Sequence, residues 1–519
     1  MTESFEESLE KVVAEESNKI ETENGALGYK ATYNKLVDLN FLTSSFRGAF
    51  VEDIQRRFAE VYNEDPVYAL KWLFYARDVR GGMGERRLFR ACLNWLYDSY
   101  PNVLIHLIHL VPEFGRWDDV IYLARPEYND EVTEFIFNYV NTWWNIDVLA
   151  YENLEPLTLL AKWMPSNNAS SKQTVKYAKF YQKKLGITPK EYRQTLSALR
   201  ARISVVEQKM SANEWKYIEY GKVPSKASML YRKAFSRHDS DGYDKYLEEV
   251  CSGKEKINAG TLYPHDIVHA YGLSDIGRYI CIGDEDRLDS REDFDVTLEE
   301  QWKNLPDYFT DDVLVVRDGS GSMEYNTIGG TKVRPLDIST GLAVYTAQHN
   351  RGAFKNKFIT FSADAKLVTL DKETLYDNLV DIYEHDDCSN TNLENVFDLI
   401  LKTAIDGGYK QEDIPSTVMI VSDMEFDHAT WNSRYSRETL FETIAAKYES
   451  HGYKLPRLVF WNVCSRTGAI PMIQNENGLV LLSGFSPAAI KMVQTGEYDP
   501  WLALKSVLDS DRYESITLN

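Results

Sequence analysis

Through the first 310 residues the apolar positions recur at helical spacing, as in Ala69, Leu70, Trp72, Leu73, Tyr75 and Ala76, and again in Leu88, Ala91, Cys92, Trp95 and Leu96. Short breaks at Gly81-Gly82, Pro101-Asn102, Pro112 and Gly115 separate runs of helical length. Strand-like alternation is not evident there, so residues 1–310 are predicted to be stacked antiparallel helices of the HEAT or armadillo kind, although the sequence has no fixed period. From Val313 the pattern changes. Short apolar runs at Val313–Val316, Thr417–Val421, Leu458–Val463 and Leu479–Leu482 alternate with amphipathic stretches at Asp337–His349, Glu373–Tyr383, Leu393–Leu401, Arg437–Glu449 and Pro500–Leu508. Two further strands are expected at Lys357–Ser362 and Lys366–Leu370. Strands alternating with helices predict a doubly wound, Rossmann-like α/β domain over residues 311–519.

The polar residues at the strand ends carry the candidate chemistry. Asp318-Gly319-Ser320-Gly321-Ser322 directly follows the first apolar run, which places three oxygen side chains in one tight loop, with the glycines expected to supply unusual backbone angles. Ser389–Leu393 brings Thr391 to the start of a helix, and the run from Thr417 ends in a second carboxylate, Asp423. In a parallel sheet with helical crossovers, such strand-end loops meet at one edge. An oxygen-only set favours Mg²⁺ or Mn²⁺ over zinc.

D-x-S-x-S, a lone Thr and a lone Asp, in that chain order, resemble the metal-ion-dependent adhesion site of von Willebrand factor A domains. The resemblance implies that Asp318, Ser320, Ser322, Thr391 and Asp423 hold the ion. One position would stay open to an Asp or Glu of a protein partner. Glu425 and Asp427 follow closely and are expected to tune the site from outside the ligand set.

A second resemblance rests on Arg77–Arg86 with its R-G-G-x-G-E string, on Val111–Asp119 with G-R-W-D-D, and on Lys162–Ser166. Glu23-Asn24-Gly25-Ala26, Glu191-Tyr192-Arg193, Val223-Pro224-Ser225 and Leu482–Phe485 extend it along nearly the whole chain. The chain is similar to the DUF2828 family. In architecture it also resembles the TROVE proteins, whose prototype is the Ro autoantigen. Those join a helical-repeat ring to a von Willebrand A domain, and the ring binds small noncoding RNAs and the single-stranded ends of misfolded ones. By analogy, the resemblance implies an RNA-binding scaffold.

Net charge changes this picture only locally. The formal charge of −21 argues against a polyanionic partner. Between Lys162 and Arg202, however, ten basic residues stand against the single acid Glu191. Lys172, Lys176, Lys179, Lys183, Lys184 and Arg193 form the centre of this belt, with Tyr177, Phe180, Tyr181 and Tyr192 interleaved. Cations beside aromatic faces suit single-stranded RNA; a solvated helix face with inward tyrosines fits the same pattern. The arginines Arg77, Arg80, Arg86, Arg87 and Arg90 around Gly81-Gly82 also divide two ways. Arg80 and Arg86 could hold phosphate, while Asp78 and Glu85 point to internal salt bridges.

Five scattered cysteines, Cys92, Cys251, Cys281, Cys388 and Cys464, offer neither a disulfide framework nor a zinc motif. The acidic start Met1–Glu7 does not read as a secretory leader and no apolar run is long enough for a bilayer, so a cytoplasmic, membrane-free location is expected. His265 and His269 stand four residues apart without H-E-x-x-H, and Ser320 lacks the G-x-S-x-G elbow. A binder rather than an enzyme is expected. A purely protein-binding scaffold is the alternative to the RNA-binding one, and a metal-dependent hydrolase, for which no general base can be named, comes third.

Overall fold

The computed structural model describes residues 13–518 apart from 129, 204, 276–293, 309–311, 326, 330, 362, 385, 387–389 and 429–437. Met1–Glu7, Ser362, Ser389, Arg437, Cys281 and Cys388 therefore lie outside the described residues. The chain divides into two compact units, and the division differs from a single break near residue 310. One unit comprises Met1–Glu64, Gly81–Met83 and Leu262–Arg512; the other comprises Asp65–Arg80, Gly84–Thr261 and Tyr513–Asn519.

The first unit is built on a six-stranded sheet. Its strands are β3 (Leu314–Asp318), β4 (Lys357–Phe361), β5 (Ala365–Thr369), β6 (Thr417–Ser422), β7 (Arg457–Asn462) and β8 (Leu479–Ser483), in the order β5-β4-β3-β6-β7-β8. All neighbours are parallel except β4 and β5, which form an antiparallel edge hairpin. Every residue of β3 and β8 is buried, and only the first of β6 and β7 is not. Since alternate residues point to opposite faces, both faces are covered, as a doubly wound sheet requires. The order reverses between β3 and β6, so loops leaving those strands open the crevice where such sheets bind ligands.

The strand boundaries agree with the sequence expectation to within one residue. Helices form at Pro335–His349, Leu375–Glu384, Glu394–Gly407, Leu440–Ser450 and Pro500–Leu508. The Pro264–Tyr271 helix packs against Pro335–His349 so closely that a Cβ at Gly341 would come within 2.8 Å of the His265 backbone nitrogen. Among the described residues neither His265 nor His269 belongs to a group of three potential metal ligands, and His269 Nδ1 lies 2.8 Å from Asp337 Oδ2.

The first 64 residues join this unit because their apolar face is completed by the sheet. In the Lys35–Phe41 helix, Leu36, Val37, Leu39 and Phe41 are buried, and the helix packs on β8. Ser44 donates from its backbone nitrogen to Ser483 Oγ at 2.9 Å and from its hydroxyl to Asn462 O at 3.0 Å. Asn462 Nδ2 donates to Phe41 O at 2.9 Å. Ahead of that helix stands a hairpin absent from the sequence expectation, β1 (Lys19–Glu21) paired antiparallel with β2 (Leu27–Tyr29).

The second unit is helical. Among its longer helices are Pro66–Arg77, Arg86–Ser99, Glu131–Glu152, Lys172–Lys184, Pro189–Arg202, Ser225–His238 and Ser240–Cys251, and sequential pairs such as Pro66–Arg77 with Arg86–Ser99 pack together. Asp65 caps the first by accepting from the backbone nitrogens of Val67 and Tyr68, both at 3.1 Å. The chain end returns here: Tyr513 donates its hydroxyl to Asp78 Oδ2 at 3.1 Å and sets its ring edge-on to Tyr75. No described helix is long and apolar enough to cross a membrane.

Candidate functional site

All five candidate ligands lie at the carboxyl edge of β3 and β6. Asp318, Ser320, Thr391 and Asp423 are buried, and Ser322 is half-buried. Asp318 Oδ1 accepts from the Ser320 backbone nitrogen at 2.9 Å, and its Oδ2 from the Ser422 hydroxyl at 2.5 Å. Ser320 Oγ lies 3.2 Å from Ser322 Oγ, and Ser322 in turn hydrogen-bonds the Asp423 carboxylate. Thr391 is tied to the same edge by its carbonyl, which accepts from the Asp427 backbone nitrogen at 3.0 Å.

The backbone sets these positions. Gly319 has no left-handed φ, contrary to the sequence expectation; it is needed because a Cβ there would meet Arg317 Nη1 at 3.1 Å and Thr360 Oγ1 and Asp386 Oδ1, each at 3.2 Å. Gly321 begins the short helix Gly321–Tyr325, an ordinary conformation. The unusual angle falls elsewhere: Met424, directly after Asp423, has φ +64°, costing about 1 kcal/mol for a residue with a Cβ. Beneath the loop, buried Arg317 grips Asp386 with both terminal nitrogens at 2.7 Å and reaches Thr340 and Thr360.

Charge is incompletely balanced at this edge. Burial raises the Asp318 carboxyl above the usual carboxylate range, and the nearby Asp423 raises it further, against the opposing hydrogen bonds from Ser422 and Ser320. Asp423 is also pushed up by burial, opposed chiefly by Arg466, whose Nη1 lies 2.8 Å from Asp423 Oδ2. A divalent ion would reverse that penalty. Among the described residues no three of His, Cys, Asp and Glu cluster as a metal-binding group; the donors here are two carboxylates and three hydroxyls, a set suited to Mg²⁺ or Mn²⁺.

One residue bonded to this edge, Arg466, escaped the sequence reading. Arg466 lies in the loop after β7 and bonds both Asp423 and Glu23, the latter at 2.8 Å from Nε. Glu425 is buried and saturated: it accepts from the backbone nitrogens of Glu23, Arg466 and Thr467 at 2.9, 2.8 and 2.8 Å, and from the hydroxyls of Ser465 and Thr467. It holds loops rather than a cation. The one available signal was position, since Arg466 follows a buried strand at the same sheet edge.

In the helical unit the belt separates into parts. Lys172, Lys176, Lys179 and Lys183 are exposed and fall on one stripe of their helix. Lys176 pairs with Glu127 at 2.9 Å, and Lys184 pairs with Glu134 beside the Phe137 ring. Among the described residues no carboxylate pairs with Lys172, Lys179, Lys183, Lys190 or Arg193. The aromatic residues turn inward, which corrects the stacking expectation for them. Tyr181 and Tyr192 are fully buried and donate to Ile121 O at 2.9 Å and Pro165 O at 2.8 Å, while Tyr177 donates to Tyr122 O at 3.1 Å.

The R-G-G-x-G-E and G-R-W-D-D segments meet in an ion-pair knot. Asp119 takes Arg77 at 2.9 Å and Arg90 at 2.6 Å; Asp118 takes Arg90 and Arg116, both at 2.8 Å. Arg116 also lies 4.0 Å over the Trp163 ring. Arg86, about half exposed, reaches Asp118 only at 4.0 Å, and Arg80 is exposed at the rim of a 470 Å³ cavity that Lys162, Lys209 and Lys222 also line.

Over 529 aligned residues the chain is 27% identical to an uncharacterised protein of Acanthamoeba polyphaga mimivirus, covering 94% of this chain and 87% of that protein. Among solved structures, the Deinococcus radiodurans Ro (RSR) protein is similar at 14% identity with a TM-score of 0.35, covering 91% of this chain and 92% of that one. Residues 312–501 match the model of a domain of unknown function, DUF7788. Residues 22–139 and 145–312, more than half of the chain, match the model of another such domain, DUF2828, and the chain belongs to that family.

Proposed function

We propose that this protein is a binding scaffold rather than an enzyme. Its sheet unit holds Mg²⁺ or Mn²⁺ and, through it, the Asp or Glu of a protein partner; its helical unit binds small noncoding or single-stranded RNA through phosphate contacts. The observation that carries the metal reading is the chain of hydrogen bonds that links the two buried carboxylates, Asp318 and Asp423, to the Ser320 and Ser322 hydroxyls where the strand order reverses. Asp318 and Asp423 would supply the charge, and Ser320, Ser322 and Thr391 neutral oxygens. With only two anionic donors a bound ion keeps enough electrophilicity to attract a further carboxylate. Ser320 Oγ lies within hydrogen-bonding reach of Ser322 and Asp318, a setting that suits a ligand oxygen. Calorimetry tests this reading: replacing Asp318 and Asp423 together by Ala should abolish Mn²⁺ binding while the helical unit stays folded, and unchanged affinity rejects the assignment.

The RNA reading rests on the unpaired stripe. Lys172, Lys179, Lys183 and Arg193 are exposed cations without a carboxylate partner among the described residues, and neutralising phosphates is the main source of affinity for a polyanion. Reversing these four to Glu should collapse binding to single-stranded polyuridine and flatten its salt dependence by about 3 in the log–log slope. Should the parent retain no RNA even at low salt, the protein-binding scaffold becomes the better reading.

A further inference from the structure

The hairpin of β1 and β2 has strands of only three residues each, too short to persist alone. It is held along its length by the loops that carry the candidate ligands. Thr22 donates its hydroxyl to Phe426 O at 2.7 Å, Tyr29 exchanges backbone hydrogen bonds with Ile470 at 2.8 Å each way, and the Tyr29 hydroxyl donates to Glu442 Oε1 at 2.8 Å. The tip, Glu23-Asn24, reaches the site itself. Asn24 Nδ2 donates to Thr391 Oγ1 at 3.2 Å and to Glu425 O at 2.6 Å. Glu23 Oε2 takes Arg466 Nη2 at 2.7 Å, and that guanidinium holds Asp423 Oδ2 at 2.8 Å.

From these contacts we infer that the N-terminal hairpin is the clamp of the metal site, so that hairpin docking and Mg²⁺ or Mn²⁺ binding strengthen one another. The inference rests on the metal reading above and names Glu23, Asn24 and Arg466 as its positioning residues. A hydroxyl oxygen has two lone pairs. Asn24 engages one on Thr391, which fixes the oxygen and leaves the other for a cation. Arg466 is a fixed positive charge bonded to one of the two anionic donors, and a dication placed beside it meets repulsion. The Glu23 carboxylate neutralises that charge from the outer side, so the guanidinium can orient Asp423 without opposing the ion. Glu425 completes the clamp, because its carboxylate binds the Glu23 amide and the Arg466 and Thr467 amides at once and so ties the hairpin tip to the Arg466 loop. Residues that orient ligands in this way typically contribute 10–100-fold to metal affinity. Linkage then requires the converse, that a bound ion stabilises the docked hairpin by the same factor.

The test uses the full chain and Mn²⁺ alone, with two readouts. In calorimetry, Glu23→Gln and Asn24→Ala should each raise the Mn²⁺ dissociation constant about 10-fold, while the melting temperature without metal stays close to the parent's. In hydrogen exchange, the amides between Glu21 and Leu27 should slow on addition of Mn²⁺ to the parent and not to Asp318→Asn. Parent-like Mn²⁺ affinity in both variants, or hairpin exchange indifferent to Mn²⁺ in a parent that binds it, overturns the clamp and leaves the metal reading standing. A parent that binds no Mn²⁺ overturns the metal reading and the clamp together.

Discussion

In the helical unit, Asp118 and Asp119 meet the guanidinium groups of Arg77, Arg90 and Arg116; in the sheet unit, Asp423 has the guanidinium of Arg466, which Glu23 also claims, and Asp318 is held by hydrogen bonds from Ser320 and Ser422. Both clusters bury carboxylates at a loop. The first is closed by its own cations, so it fixes geometry and has no negative charge left to offer a cation. The second is short of positive charge, and burial pushes its carboxyls up against the opposing pull of Arg466 on Asp423 and of the serine hydrogen bonds on Asp318. The comparison teaches that an Asp cluster is a cation site only where the surrounding side chains fail to neutralise it. Opposite responses to charge removal should follow.

Breaking the closed cluster should have the larger effect. Arg77→Ala takes from the buried Asp119 carboxylate its one buried guanidinium and leaves only the partly exposed Arg90. Removing one partner of such a pair costs about 3–5 kcal/mol. Urea unfolding followed by a signal from the helical unit should show that loss, with Mn²⁺ affinity unaltered; a loss below about 1 kcal/mol would place this knot among ordinary surface pairs.

The open cluster should respond in the reverse sense. Asp318 has a raised carboxyl pKa, so the native state holds its proton longer than the unfolded chain and stability falls as pH rises through the raised value. Asp318→Asn removes that penalty. Without metal the variant should be more stable than the parent by roughly 1 kcal/mol at mildly alkaline pH, converging with it in acid, and it should lose Mn²⁺ binding. Thermal melts across this range decide the point. A variant less stable than the parent at alkaline pH would mean that Asp318 is already neutralised, and the contrast between the clusters would disappear.

Much of this contrast was legible in the sequence, and the reasons for what was missed are physical. The strands β3, β6, β7 and β8 are buried on both faces and so appear as unbroken apolar runs, and the motif at 318–322 follows the first of them directly. The hairpin was hidden because Lys19–Tyr29 has no apolar alternation; its tip is held by Phe426 and Glu425, about 400 positions away in sequence. Arg466 was hidden for the same reason, its meaning depending on Asp423 and Glu23 together. The tyrosines of the basic belt were ambiguous because a Tyr hydroxyl suits a buried carbonyl as well as a nucleobase, and only packing separates the two. The compact units divide differently from the break expected at residue 310, with the Lys35–Phe41 helix in the sheet unit. Leu36, Val37, Leu39 and Phe41 have the helical spacing of their neighbours, and nothing in spacing says which core a helix joins.

The smallest effect belongs to a pair that lies between the two extremes. His269 Nδ1 stands 2.8 Å from Asp337 Oδ2 in the sheet unit, with the imidazole 38% exposed and the carboxylate buried. The hydrogen bond that His269 donates to Asp337 raises the His269 pKa above its ordinary value, with burial opposing. A base whose native pKa is raised contributes stability in full below the unfolded value, near 6.5, and loses it as pH rises through the native one. Because the imidazole is partly in water, the pair should be worth only about 0.5 kcal/mol. His269→Gln should therefore melt slightly below the parent in mild acid and together with it at alkaline pH, unlike Asp318→Asn, whose difference from the parent opens at alkaline pH. Mn²⁺ should leave the His269 difference unchanged while stabilising the parent over Asp318→Asn. If the His269→Gln difference instead grew with pH, burial would outweigh Asp337 in setting the His269 pKa, and charge balance alone would not separate the molecule's closed clusters from its open one.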